Sequence, residues 1–231
     1  MSEKFRNKYR IASHRKPNWD YSADALYFLT IVTQNRVCNL GKIVNANGQF
    51  LTKLSDFGKI VETEWLSSFE IRKELFLHEF VIMPNHLHAI VEICNENRGD
   101  INDGMVNNTL IVGVGFVDTH GRAYLQTPQK STEPIEPIEL SSIKRNPPIR
   151  MPQSISSFMA GFKSAVNTKI DDYIDQNQLN IPKYNRHNHF FQPNYHDHII
   201  RNQEEYIRIA NYIINNPKNW DQDKLRERGI E

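Results

Sequence analysis

Cysteine is scarce: Cys38 and Cys94 are the only two in 231 residues. Two isolated thiols build neither a disulfide framework nor a metal-spaced pair, and they suit a reducing compartment. No apolar run approaches the roughly 20 residues of a membrane-spanning helix. The basic N-terminus also lacks the apolar stretch of a secretory signal. These absences predict a soluble, cytoplasmic protein with no membrane partner. An excess of one charge is missing as well: 28 Lys and Arg stand against 27 Asp and Glu, for a net charge of +1. The chain as a whole therefore carries no nucleic-acid signature. Its first 20 residues do, with Lys4, Arg6, Lys8, Arg10, Arg15 and Lys16 against Glu3 and Asp20. Such an arm suits phosphate contacts, with Arg10 a candidate DNA-binding residue, and equally suits a solvated terminus.

Hydrophobic residues make up 39% and charged residues 24%, which is ordinary for a globular domain with a sizeable core. β-Branched and aromatic residues at 26–33 predict a buried strand. Asn47-Gly48 between short apolar pieces predicts a small hairpin. Helical spacing of Ile60, Val61, Trp65 and Leu66 predicts a helix over 55–69, with Ser55 as its N-cap. Two strands, 76–83 and 86–93, flank the turn at Pro84-Asn85, so they should pair antiparallel. A second helix is expected over 154–175, on a stripe of Ile155, Phe158, Met159, Phe162, Ala165 and Val166. Residues 190–200 look extended. A last helix should start at Asn202, with Glu205 placed for a capping box, and end at Pro217.

The order strand, helix, strand, strand, helix, strand, helix predicts an α+β fold. It is a ferredoxin-like split βαβ sandwich with an antiparallel sheet, an extra C-terminal helix and a long insertion. The domain would comprise residues 1–94 and 151–231. Residues 95–150, rich in Asn, Asp, Pro and Gly, form a variable insertion or linker with one strand-like piece at 110–117.

The chemistry concentrates in two places. His86 and His88 alternate with Leu87 at the head of the apolar run 86–93, so both imidazoles leave one face of a strand. Side by side they make half of a metal site; alone, such a pair also occurs as satisfied surface histidines. In the last helix Tyr212 sits on the polar side, one turn from Arg208 and from Asn216. Two imidazoles and an amide oxygen suit a divalent cation with positions open to phosphate oxygens. The apolar stripe of that helix is Tyr206, Ile207, Ile209, Ala210, Ile213 and Ile214.

The segment MPNHLHAIV, followed far downstream by DHIIRNQEEYIRIANYIINNP, resembles the IS200/IS605-type transposases. More narrowly it resembles the REP-associated tyrosine transposase branch of the HUH single-strand nucleases. The resemblance covers 25–93 and 152–220, not the insertion. It implies His86 and His88 as metal ligands, Asn216 as the third, and Tyr212 as the catalytic nucleophile of a metal-dependent strand transferase. It implies Mg²⁺ or Mn²⁺ as cofactor, single-stranded or hairpin DNA as partner, and a 5′-phosphotyrosine intermediate. Lys163, Arg201 and His198 fall in family-like segments and are candidate DNA-binding residues. Relatives work as monomers or dimers, so monomer and homodimer both stay open.

Other signals are weaker. Gly113-Val114-Gly115 lacks the third glycine of a dinucleotide fingerprint. His187, His189, His196 and His198 form a second histidine tract, read as surface or DNA-facing residues rather than a second metal site. Tyr195 and Tyr206 have Ile199 and Ala210 four residues on, so neither completes the constellation. Two other functions fit the same residues: a domesticated, non-catalytic DNA-binding protein, and a metal phosphodiesterase with water as nucleophile.

Overall fold

The computed structural model describes residues 16, 19–95, 151–185 and 187–226, together with the backbone of 4–5 and 8–9. The strand-like piece 110–117, the Gly113–Gly115 pair, the rest of 96–150 and Arg10 lie outside the described residues. A short ladder joins β1 (Lys4–Phe5) and β2 (Lys8–Tyr9). The central sheet then contains β3 (Ala25–Val32), β6 (Leu75–Ile82), β7 (His86–Ile93) and β8 (His196–Ile200). Its order is β6-β7-β3-β8 and every pairing is antiparallel. This is the order of the split βαβ sandwich, as the alternation of elements predicts.

Between β3 and β6 lies a hairpin of β4 (Gly41–Ala46) and β5 (Gln49–Leu54). It reverses at Asn47 and Gly48, with φ of 55° and 87°, the left-handed pair that a two-residue hairpin turn needs. Helix α1 (Asp56–Ile71) follows, capped by the Ser55 hydroxyl accepting from the Gly58 amide. Gly58 is there for contact: a Cβ would lie 1.9 Å from the Leu40 carbonyl oxygen. That carbonyl also accepts from the Ser55 amide, so hairpin and helix meet backbone to backbone.

Helices α1 and α2 (Ile155–Gln176) cover one face of the sheet. Trp65 of α1 packs 5.2 Å from the Phe158 ring and 5.0 Å from the Phe162 ring, over Tyr27, Leu29, Leu87 and Ala89. The α2 stripe runs on beyond its sequence-predicted length to Ile170 and Ile174. The other face carries α3 (Gln203–Asn215), whose Ile209 and Ile213 bury against Ile90 and Ile200. A break in register at Leu77–Phe80 of β6 accompanies a further tie to α3. His78 there bonds Glu92 at 3.0 Å and the Tyr206 hydroxyl of α3 at 3.3 Å.

Three expectations change. Extended structure over 190–200 shrinks to β8, because Pro193 offers no ladder amide; Phe190 and Phe191 instead turn into the core, Phe191 bridging Thr33. The α3 stripe narrows, leaving Ile207 49% and Ile214 56% exposed, since only Ile209 and Ile213 turn fully toward the sheet. Asn202 caps the Glu205 amide, but the Glu205 carboxylate returns to the Arg201 amide and to His198, so the capping box is displaced by one residue. Among the described residues no helix is long and apolar enough to cross a membrane.

Gly58→Ala should force α1 off the Leu40 carbonyl and cost about 1–3 kcal/mol of stability, read as a lower urea midpoint with unchanged slope.

Candidate metal centre and nucleophile

Strand alternation divides β7 cleanly. Leu87, Ala89 and Val91 enter the core beneath α1 and α2, while His86, His88 and Ile90 face α3. Both histidines are buried, with ring centroids 4.5 Å apart. An imidazole so placed must satisfy each nitrogen or leave it available to a ligand. His86 Nδ1 lies 2.7 Å from the Asn85 amide oxygen, which can only accept. The proton therefore sits on Nδ1, and Nε2 presents a lone pair. His88 Nδ1 lies 2.8 Å from the hydroxyl of Thr30, its cross-strand partner on β3. His88 Nε2 faces the Tyr212 hydroxyl at 3.2 Å. With the phenol donating there, His88 too carries its proton on Nδ1.

Asn85 is fully buried, and its amide nitrogen donates to the Arg36 and Leu225 carbonyls at 3.0 and 2.8 Å. One side chain thus fixes a histidine and ties the C-terminal segment over it. That segment begins with the 3₁₀ turn Pro217–Gln222 and delivers Asp223. The Asp223 carboxylate lies 3.7 Å from His86 Nε2, and one ligand atom each from His86, His88 and Asp223 fall within 4.8 Å of one another. Asn216 is 2% exposed at the end of α3.

Electrostatics follow from the burial. Desolvation pushes the His86 imidazole down to about 3. His88 falls to about 3 as well, through desolvation and then the neighbouring His86, opposed by Asp223. Both are neutral and ligand-ready at neutral pH. The Tyr212 phenol is raised by burial and then by the Asp223 charge, with Asn216 opposing.

The residues fit a divalent cation. His86 Nε2 and Asn216 Oδ1 are buried without a hydrogen-bond partner among the described residues, an expense ordinarily met by a ligand. The two imidazoles and the Asp223 carboxylate form a mixed N/O set of the sort that a divalent metal ion accepts.

The remaining candidates lie elsewhere. Lys163 is on α2, across the sheet, where its ammonium donates to the Gln192 and Pro193 carbonyls at 2.6 and 3.3 Å and burial lowers it to about 8. His198 pairs with Glu205 at 2.7 Å on the edge strand β8, and Arg201 follows that strand, exposed. Tyr206 is spent on His78, and Tyr195 packs against the core under α1 and α2. Sequence reasoning missed Thr30, Asn85 and Asp223. Asn85 carried a signal in its place beside His86; Asp223 carried none, because an irregular turn brings it back.

An uncharacterised protein of Haemophilus influenzae is 30% identical over 226 residues, covering 94% of this chain and 97% of that protein. The chain belongs to the family of that protein. No protein-family model matches it. Among solved structures, it is similar to a REP-associated tyrosine transposase bound to a REP hairpin. That comparison has a TM-score of 0.46 at 14% identity and covers 93% of this chain and 77% of that one.

In chelator, stability should fall as pH drops from 6.5 toward 3, because unfolded histidines take protons that the buried pair refuses. Thermal melts across that range check it, and a His86→Gln/His88→Gln double variant should show a shallower decline. Thr30→Val keeps the β-branched shape but removes the hydroxyl that orients His88. It should weaken metal affinity about 10–100-fold in calorimetric titration with Mn²⁺.

Proposed function

We propose that this protein is a metal-dependent single-strand DNA transposase or endonuclease that cleaves and rejoins DNA through Tyr212. One observation carries the reading: the Tyr212 hydroxyl stands 3.2 Å from Nε2 of His88, a neutral, buried member of the candidate metal-binding pair. A structural tyrosine at the end of a helix would bury its ring. This one is 45% exposed, with its hydroxyl turned toward the histidine pair.

His86, His88, Asn216 and Asp223 would hold Mg²⁺ or Mn²⁺. When bound, the ion supplies Lewis-acid polarisation of the scissile phosphate and favours the phenolate. Tyr212 Oη attacks phosphorus, the P–O3′ bond breaks, and the 3′ oxygen leaves with a proton from water. The half-exposed phenol loses its own proton to solvent. Phosphotyrosine conserves the ester, so the 3′-hydroxyl of a second strand can reverse the step without a nucleotide cofactor. Phe28, stacked 5.3 Å from the His88 ring and edge-on to Tyr212 at 6.1 Å, holds both rings in register. The substrate class, single strands carrying hairpins, rests on the motif resemblance. His198, Arg201, Lys163 and Arg10 remain candidate DNA contacts within this reading.

Incubation with end-labelled, hairpin-flanked single strands and Mn²⁺ should give a protein–DNA adduct on a denaturing gel. Tyr212→Phe and EDTA should each abolish it. Metal-dependent cleavage without adduct, unchanged in Tyr212→Phe, would assign a water-using phosphodiesterase instead. Binding with neither product would assign a DNA-binding protein.

A further inference from the structure

Beside the histidine pair lies a cleft of about 480 Å³ between the β4–β5 hairpin and the turn Pro217–Gln222. It starts at Pro84, two residues before His86, and shares a wall with the metal centre, since the Trp220 ring is 6.0 Å from that of His86. Its lining combines two aromatic rings, Phe50 and Trp220, with the cations Lys42, Lys218 and Arg226 and a single acid, Asp221. Arg226 is paired with Asp221 and lies 5.9 Å from the Trp220 ring, which cancels that charge inside the cleft. Lys42 and Lys218 are exposed and form no salt bridge among the described residues. Phe50 is 40% exposed on a strand of a two-stranded ribbon, a position where a large ring gains little from folding.

We infer that this cleft seats an unpaired nucleotide next to the scissile phosphate, its base against Phe50 and Trp220 and its phosphates on Lys42 and Lys218. The inference rests on the single-strand reading above and adds to it where the strand runs. Aromatic faces with unpaired ammonium groups match the two chemistries of a nucleotide, a π surface and a phosphodiester. A base inside a duplex keeps its faces stacked on its neighbours, so only a single strand offers both. The volume suits one such unit and falls within the span of small-ligand sites. The shared Trp220 wall then leads the strand from the cleft directly to His86 and His88.

The test is fluorescence anisotropy of labelled oligo(dT) in EDTA, where no cleavage occurs, using the full chain. Phe50→Ala and Lys42→Glu should each weaken binding about tenfold while retaining wild-type melting. Lys42→Glu should also flatten the salt dependence by about 0.7 in log–log slope, one phosphate contact on a single strand. Lys169→Glu, the same charge change on α2 across the sheet, should leave affinity within twofold. Unchanged affinity in Phe50→Ala and Lys42→Glu, equal losses in all three variants, or no oligo(dT) binding by the wild type would each overturn the inference. The adduct assay separates the two readings. Adduct formation with cleft-independent oligo(dT) binding overturns the cleft alone. Cleft-dependent binding without any adduct overturns the transferase reading and leaves the cleft as a single-strand seat.

Discussion

Two neutral imidazoles buried under a helix are the constraint around which the rest of this structure is arranged. Burial of His86 and His88 is tolerable because each Nδ1 is bonded within the protein, to Asn85 and Thr30. Those bonds set the tautomer, and the tautomer turns both Nε2 atoms toward Tyr212 and Asp223. Thr30 reaches His88 only because β3 and β7 pair in a register that places them opposite each other. A slip of one residue would send both histidines into the core beneath α1 and α2. The antiparallel β3–β7 ladder therefore constrains the candidate site as much as the fold.

The two sheet faces divide the labour. One is closed by α1 and α2 over a dense aromatic cluster centred on Trp65, Phe158 and Phe162, which makes it a rigid base. The other is closed sparingly by α3, with Ile209 and Ile213 as its main anchors and the His78–Tyr206 contact as a tether. Such a thin cover leaves Tyr212 half-exposed while its hydroxyl still reaches the histidines. A fully amphipathic helix with Ile207 and Ile214 also buried would cover more of that face.

Much of the fold was legible because the patterns are local. Ser55 before α1, Asn47-Gly48 in the hairpin, and Asn202 before α3 act through neighbours within four residues, so sequence spacing suffices to find them. The period of two that places His86 and His88 on one face is likewise a property of the strand alone. Less legible were positions whose role depends on a partner distant in sequence. Gly58 reads as an ordinary weak point in a helix until the Leu40 carbonyl is seen beside it. Lys163 reads as a free cation until the Gln192 and Pro193 carbonyls take its ammonium.

By itself, then, the sequence determined the elements, their alternation and thus the split βαβ order, together with the pairing of the two imidazoles and the one-turn spacing of Tyr212 and Asn216. Those are consequences of backbone periodicity, which every short segment carries with it. Only the tertiary structure decided that α3 lies over the histidine face, that Thr30 orients the His88 ring, that Asn85 ties the C-terminal segment over His86, and that Asp223 returns to the pair. Those contacts join residues 58, 124 and 140 positions apart, or pass through an irregular turn. No periodicity spans such separations, because they are set by packing of whole elements against one another rather than by the conformation of any one of them.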